Sequence, residues 1–223
     1  METVAVIDFE TTGMGAGTAG GGRATEIAAV LVRNGEIVGS YQSLMNAGAY
    51  VPPFIERLTG ISNAMLADAP PAQAVMQEVA AFTRGLPLVA HNASFDRSFW
   101  QAEQALAGCE RDPAHEFACT VLLARRLYPE APNCKLGGLQ AFFDLPGAGR
   151  AHRALADATV TARLLLRMQR DLERRYAKEL CGCAVDHALL AKLQRVSKAG
   201  LAACVRSHAA EWARSRQLSL IEA

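Results

Sequence analysis

The chain has almost no excess charge of either sign: over 223 residues, 23 Lys and Arg face 22 Asp and Glu, a net charge of +1. That balance excludes a broad surface for coating nucleic acid or adhering to membranes, but not an enzyme that grips only one end of a strand. No apolar run approaches the roughly 20 residues a membrane-spanning helix needs. Nor does a basic segment followed by an apolar one open the sequence, as in a secretory signal. A cytoplasmic protein is therefore expected. The six cysteines, Cys109, Cys119, Cys134, Cys181, Cys183 and Cys204, are too scattered for a disulfide framework and read as reduced thiols. Internal repeats are lacking as well.

Apolar residues are plentiful. They make up 51% of the chain, enough for a sizeable core in one domain, or in one domain plus an appendage. Thr3 to Asp8 is an apolar run with β-branched residues, hence a buried strand. Two further strands, Glu26 to Arg33 and Glu36 to Leu44, flank Asn34-Gly35, whose tolerance of positive φ marks a hairpin. The apolar period then lengthens to that of a helix over Pro71–Arg84, where Val75, Val79 and Phe82 share a face. A short strand over Leu86–Ala90 precedes helices over Phe95–Leu106, Val121–Tyr128, Leu136–Phe143 and Ala154 to about Arg175. An antiparallel opening followed by β-α units predicts an α/β fold, a mixed sheet flanked by helices. Residues 176–223 form a helical C-terminal extension to this 1–175 domain. Its apolar stripe (Leu189, Leu193, Val196, Leu201, Cys204, Val205, His208 and Trp212) is interrupted near Gly200.

Gly15 to Gly20, GAGTAG, matches the G-x-G-x-x-G pattern of dinucleotide-binding turns. That chemistry needs a helix directly after the glycines, so that its N-terminus can hold a pyrophosphate. The following GGRATEIAAVLV reads instead as a strand leading to the hairpin, which supplies no helix dipole. A glycine-rich loop beside the end of the first strand is the better reading.

That strand ends in VIDFETTG, Val6 to Gly13. Alternate residues of a strand share a face, so Asp8 and Glu10 project together while Phe9 points the other way, toward the core. Two adjacent carboxylates after an apolar lead-in repel each other and resist burial. A divalent cation resolves the conflict, and hard oxygen ligands favour Mg²⁺ or Mn²⁺. Alone, D-x-E is a weak signal. LVAHNASFD delivers Asp96 to a first helical turn, where an acid also suits the helix dipole. RAHRALADA opens the long helix with His152 and Asp157. Five residues of ideal helix would leave these side chains about 140° apart. A shared site therefore requires His152 on the loop before the helix and Asp157 inside it.

Together, DFETTG, HNASFD and HRALAD resemble the three exonuclease motifs of the DEDD family. The H-x₄-D spacing resembles its histidine subgroup, which includes epsilon proofreading subunits, ribonuclease T and oligoribonuclease. RLTGIS and CKLGGLQAFFDL fall in familiar order, and the resemblance runs from about Thr3 to Arg170. It departs in the longer glycine-rich loop Gly13–Gly22 and in Cys119-Thr120, where many members have Asp-Thr.

The resemblance implies a ribonuclease-H-like fold. It implies a metal-dependent 3′→5′ exonuclease releasing nucleoside 5′-monophosphates from DNA ends, single-stranded ones favoured, in proofreading or repair. It also implies two divalent cations about 3.5–4 Å apart. Asp8 would bridge both, Glu10 and Asp157 would hold the nucleophile-side ion, and Asp96 would serve the other. His152 would be the general base, a task around neutral pH for which imidazole is the usual side chain. Thr11 would meet the 3′-hydroxyl, and Asn92 would support the site by hydrogen bonds. Leu58, Ile61 and Phe99 would either wedge terminal bases or pack in the core. Arg97, Arg150 and Arg153 are candidate phosphate contacts. An exoribonuclease acting on RNA 3′ ends shares this chemistry, the 2′-hydroxyl being the difference. A non-catalytic module that binds nucleic-acid ends or a polymerase subunit is the reading from another class.

Within the extension, Cys181-Gly182-Cys183 with His187 nearby invites a zinc reading, but no second cysteine pair accompanies it. Buried thiols are the simpler account. The closing Gln217-Leu218-Ser219-Leu220-Ile221 resembles the short peptide by which bacterial replication and repair proteins dock on the sliding clamp. A chain end is an accessible place for such a peptide.

Overall fold

A computed structural model of the chain describes residues 2–17 and 21–221, with side chains as far as Gln217. Five strands, β1 (Thr3–Thr11), β2 (Ala24–Arg33), β3 (Glu36–Leu44), β4 (Leu88–Ala90) and β5 (Phe117–Cys119), form one sheet in the order β3-β2-β1-β4-β5. The hairpin pairs β2 with β3 antiparallel through Asn34 and Gly35, both at positive φ. β1 lies between an antiparallel neighbour, β2, and a parallel one, β4. It is central because it is apolar on both faces. Val4 and Val6 join Val30, Val32 and Val89 in one buried layer, while Ala5, Ile7 and Phe9 join Leu88, Phe99 and Trp100 in the other.

Helices cover both layers. On the second lie α3 (Ala72–Phe82) and α4 (Ala93–Leu106), and on the first α5 (Thr120–Leu127), α6 (Leu136–Phe142) and α7 (Ala154–Arg175). Ala154, Ala158 and Ala162, one turn apart along α7, are fully buried against the sheet. Their small side chains bring the start of the helix close to β1 and β2. Two short helices, α1 (Pro53–Thr59) and α2 (Asn63–Ala67), bury Ile55, Ile61 and Leu66 in a small third cluster. Neither these helices nor β5 was expected from the sequence. The other elements lie within a few residues of expectation, with β1 continuing three residues past Asp8 to Thr11.

The glycine-rich loop leads into β2, not into a helix. Its described parts run back to back, and a Cβ on Gly22 would lie 2.7 Å from the Gly13 carbonyl oxygen, so only glycine fits there. Close backbone approach explains Gly21 and Gly22. At the loop's exit, the buried Glu103 pairs with Arg23 through both carboxylate oxygens and accepts the Ala24 N–H at 3.0 Å.

The extension is not one helix. It comprises α8 (Ala177–Leu180), α9 (His187–Leu193), a 3₁₀ turn (Lys198–Gly200) and α10 (Leu201–Ile221). Leu189, Leu193, Leu201 and Val205 of the expected stripe enter the same core layer as α7. The Gln194 amide imitates a missing strand: its Oε1 accepts the Cys119 N–H at 2.7 Å and its Nε2 donates to the Phe117 carbonyl at 3.1 Å. His187 is buried, with Nε2 2.9 Å from the Leu88 carbonyl, and its N–H donates to Glu2. The cysteines are free thiols, Cys183 buried as expected but Cys181 exposed, and no Cys–His metal cluster occurs among the described residues. No helix among the described residues is long and apolar enough to cross a membrane.

Candidate active site

The face of β1 that carries Val4 and Val6 continues to Asp8 and Glu10 at the strand's end. Phe9, between them, points to the opposite layer, where its ring meets Phe99 and Trp100 at centroid distances of 6.3 and 6.4 Å. The Phe9 N–H donates at 3.1 Å to Oδ1 of Asp96, which the first turn of α4 delivers and which is only 2% exposed. One peptide unit thus ties the third acid to the first two. Asp157 comes from the first turn of α7. His152 lies before that helix, exposed, with φ of +60°, and its N–H donates to Asp157 Oδ2 at 3.1 Å. A histidine on the loop and an acid in the helix is the arrangement that the five-residue spacing demanded. One ligand atom each from Glu10, His152 and Asp157 lie within 4.8 Å of one another.

The fold pushes all four carboxylates toward protonation. Burial first, then Asp96, Glu10, Asp157 and Glu26, hold Asp8 well above the usual carboxylate range. Burial followed by Asp157, Glu26 and Asp96 raises Glu10 to about 8, against a smaller opposing pull from Arg153. Asp96 rises to about 7 through burial, although the Phe9 N–H favours its charged form. Burial also raises Asp157, opposed by the His152 N–H. Converging buried carboxylates call for protons or cations. An all-oxygen donor set with an adjacent imidazole fits a hard divalent ion such as Mg²⁺ or Mn²⁺.

The acids floor a cleft of about 370 Å³ whose wall includes Thr11, Phe54, Leu58, Phe95 and His91. Phe54 is 59% exposed and Leu58 47%, so α1 presents an apolar rim. Two residues considered for base contact do not reach it. Phe99 is wholly buried between Phe9 and Phe95, and Ile61 packs with Val51, Ile55 and Leu66, so both serve the core. Phe95, one turn earlier on α4, takes the cleft position instead. The Thr11 hydroxyl donates to the Gly13 carbonyl at 2.8 Å. Asn92 is exposed at φ +64°, its Oδ1 3.5 Å from the Ser94 hydroxyl. Of the arginines, Arg97 is exposed, Arg150 donates to the Arg57 carbonyl at the end of α1, and Arg153 pairs with Glu26. Burial drives His91 down to about 4, so it is neutral at pH 7 beside Thr120, 2.9 Å away. Phe54, Phe95 and Glu26 were not singled out by the sequence. The only local signal for Phe54 was Pro52-Pro53, which favours a helix start.

A ribonuclease-H-like mixed sheet whose strand ends gather four carboxylates and a histidine defines a DEDDh-type nuclease. The family model described as Exonuclease matches residues 5–165, and the chain belongs to that family, whose members use divalent metal ions and act on nucleic acid. The chain is 40% identical over 172 residues to a putative bifunctional exonuclease/endonuclease protein of Mycobacterium tuberculosis, covering 73% of this chain and 26% of that protein. It is 32% identical to DNA polymerase III subunit epsilon of Aquifex aeolicus, over 78% of this chain and 84% of the relative. Among solved structures, Exonuclease X in complex with 5′ overhanging duplex DNA matches with a TM-score of 0.60 and 32% identity, over 75% of this chain and 91% of that one. The chain thus spans about a quarter of the first relative's length and most of the other two.

Proposed function

We propose that the protein is a 3′→5′ exonuclease that releases nucleoside 5′-monophosphates from DNA 3′ ends, in proofreading or repair in the cytoplasm. The observation that carries this reading is the convergence of Asp8, Glu10, Asp96 and Asp157 beside a histidine on a turn of its own. Those acids would hold two divalent cations, Mg²⁺ or Mn²⁺, which when bound stabilise charge on the attacked phosphoryl group and on the leaving oxygen. His152, exposed at the cleft edge, takes a proton from the attacking water. Phe54 and Leu58 offer terminal bases an apolar surface, and Thr11 meets the terminal sugar. Residues 1–175 carry the chemistry, and 176–223 brace the sheet and carry a partner peptide. A DNA substrate is supported by the relatives, one a DNA polymerase III subunit and one solved with duplex DNA.

A 5′-labelled single-stranded DNA oligonucleotide with Mg²⁺ or Mn²⁺ is expected to yield a ladder that shortens from its 3′ end. No ladder, or one that survives EDTA or Asp8→Ala, would sink the reading. A matched panel of DNA and RNA, single-stranded and duplex, separates DNA work from RNA 3′-end processing.

The partner is the sliding clamp or a polymerase subunit. Gln217 is exposed near the end of α10, whereas the side chains of Leu218, Leu220 and Ile221 lie outside the described residues. Replacing Gln217 and Leu218 by alanine is expected to abolish retention of the protein on an immobilised clamp. Unchanged retention retires the clamp proposal.

A further inference from the structure

A fifth carboxylate stands beside the four of the cleft. Glu26 of β2 faces Glu10 directly across the antiparallel ladder and is 2% exposed. Its partners are not those of a metal ligand. Oε1 accepts from Arg153 Nη2 at 2.7 Å, while Oε2 accepts from Arg153 Nε at 3.0 Å and from the Ala154 N–H at 2.9 Å. Ala154 is the first residue of α7, and Arg153 flanks it. The start of the helix is therefore fastened to the sheet, opposite Glu10, by a bidentate charged pair and a backbone hydrogen bond.

The residue just before this fastening is His152. Its left-handed φ of +60° is costly for any side chain with a Cβ and persists only where the surroundings over-determine it. It is held from two sides: its own N–H is bound to Asp157 Oδ2, and the next residue is bound to Glu26. We infer that Glu26 and Arg153 are positioning residues, which hold the turn that aims His152 at Glu10 and Asp157 and act on the reaction chiefly through His152. The inference rests on the exonuclease reading above. It assigns Arg153 to the protein's own carboxylate and not to the substrate's phosphates.

The test is a double-mutant cycle in the full chain. Arg153→Met is expected to lower kcat by about 10–100-fold, the range for outer partners of a site, with KM for the oligonucleotide changed less than about twofold. Glu26→Gln, which keeps one acceptor oxygen but loses the charged pair, should fall in the same direction. In a His152→Ala background, Arg153→Met should cost less than about twofold more, since the residue through which it chiefly acts is gone and only its weak pull on Glu10 remains. Hydrogen exchange over residues 150–157 should quicken in Arg153→Met while the rest of α7 stays protected.

A raised KM with kcat retained would make Arg153 a phosphate contact and overturn the proposal. So would an additive loss in the His152→Ala background, or unchanged exchange over residues 150–157. Wild-type protein that degrades no nucleic acid with either metal instead overturns the exonuclease reading, and the exchange measurement still decides whether the pair holds the turn.

Discussion

Asp8→Asn is expected to lower exonuclease turnover by about 10³-fold, equivalent to several kcal/mol of lost transition-state stabilisation, while raising the stability of the metal-free protein. Both effects have one cause. Asp8 sits where burial and three other acids of the cleft oppose its charge, with Glu26 adding to them. When metal is bound, that charge is what the site needs. When metal is absent, the same charge only repels its neighbours. The amide keeps the size and shape of the side chain, so no cavity confuses the comparison. Initial rates with Mn²⁺ measure the first effect, and thermal unfolding in EDTA the second. Near-normal turnover removes Asp8 from the site, and a lower melting point in EDTA shows that its carboxylate supports the metal-free fold.

Without metal, the protein is expected to lose stability steadily as pH rises from about 4 to about 8. Glu10 is raised from 4.5 to about 8 and Asp96 from 3.8 to about 7, both mainly through burial. Within that window the folded state holds protons that the unfolded chain has released, so each rise in pH favours unfolding. The stability these protonated groups provide is complete below the ordinary carboxylate values and gone once pH passes the raised ones. A tenfold difference in proton affinity between the folded and unfolded chain corresponds to about 1.4 kcal/mol. The two acids share their repulsion, so their contributions do not add, and the total loss is of the order of a few kcal/mol. A divalent cation held among these acids would offset that repulsion directly, so the rise in melting temperature on adding Mg²⁺ or Mn²⁺ should be larger at pH 8 than at pH 5. A metal-free melting point that is flat or climbs across this window contradicts the electrostatic account.

Much of this site was legible because its signals are local. Two acids separated by one residue at the end of an apolar strand state a conflict without any knowledge of the fold, and the His152–Asp157 spacing dictates which one lies outside the helix. The hairpin announced itself through Asn34-Gly35 in the same way. What escaped detection depends on distant partners or is too short to show a period. α1 and α2 have seven and five residues and β5 has three, too few for periodicity to emerge. Phe95 and Phe99 lie one turn apart on α4, and nothing in their spacing says which is buried. That is decided by Phe9, which arrives from β1. Glu26 looked like an ordinary acid at a strand's start because Arg153, its partner, is 127 residues away.

The Gln194 amide that completes the sheet has a consequence during synthesis. A ribosome delivers β1 well before Gln194, so a chain emerged only through α7 holds every acid of the cleft yet leaves the Cys119 N–H and the Phe117 carbonyl unmet along β5. A bare strand edge is a template for pairing with another nascent chain. The hydrogen bond from the His187 amide to Glu2 spans 185 residues and joins the residue before β1 to the same later segment. The segment made after the acids is thus the one that covers the edge of β5, and a chain lacking it is expected to pair edge to edge more readily than one that carries it.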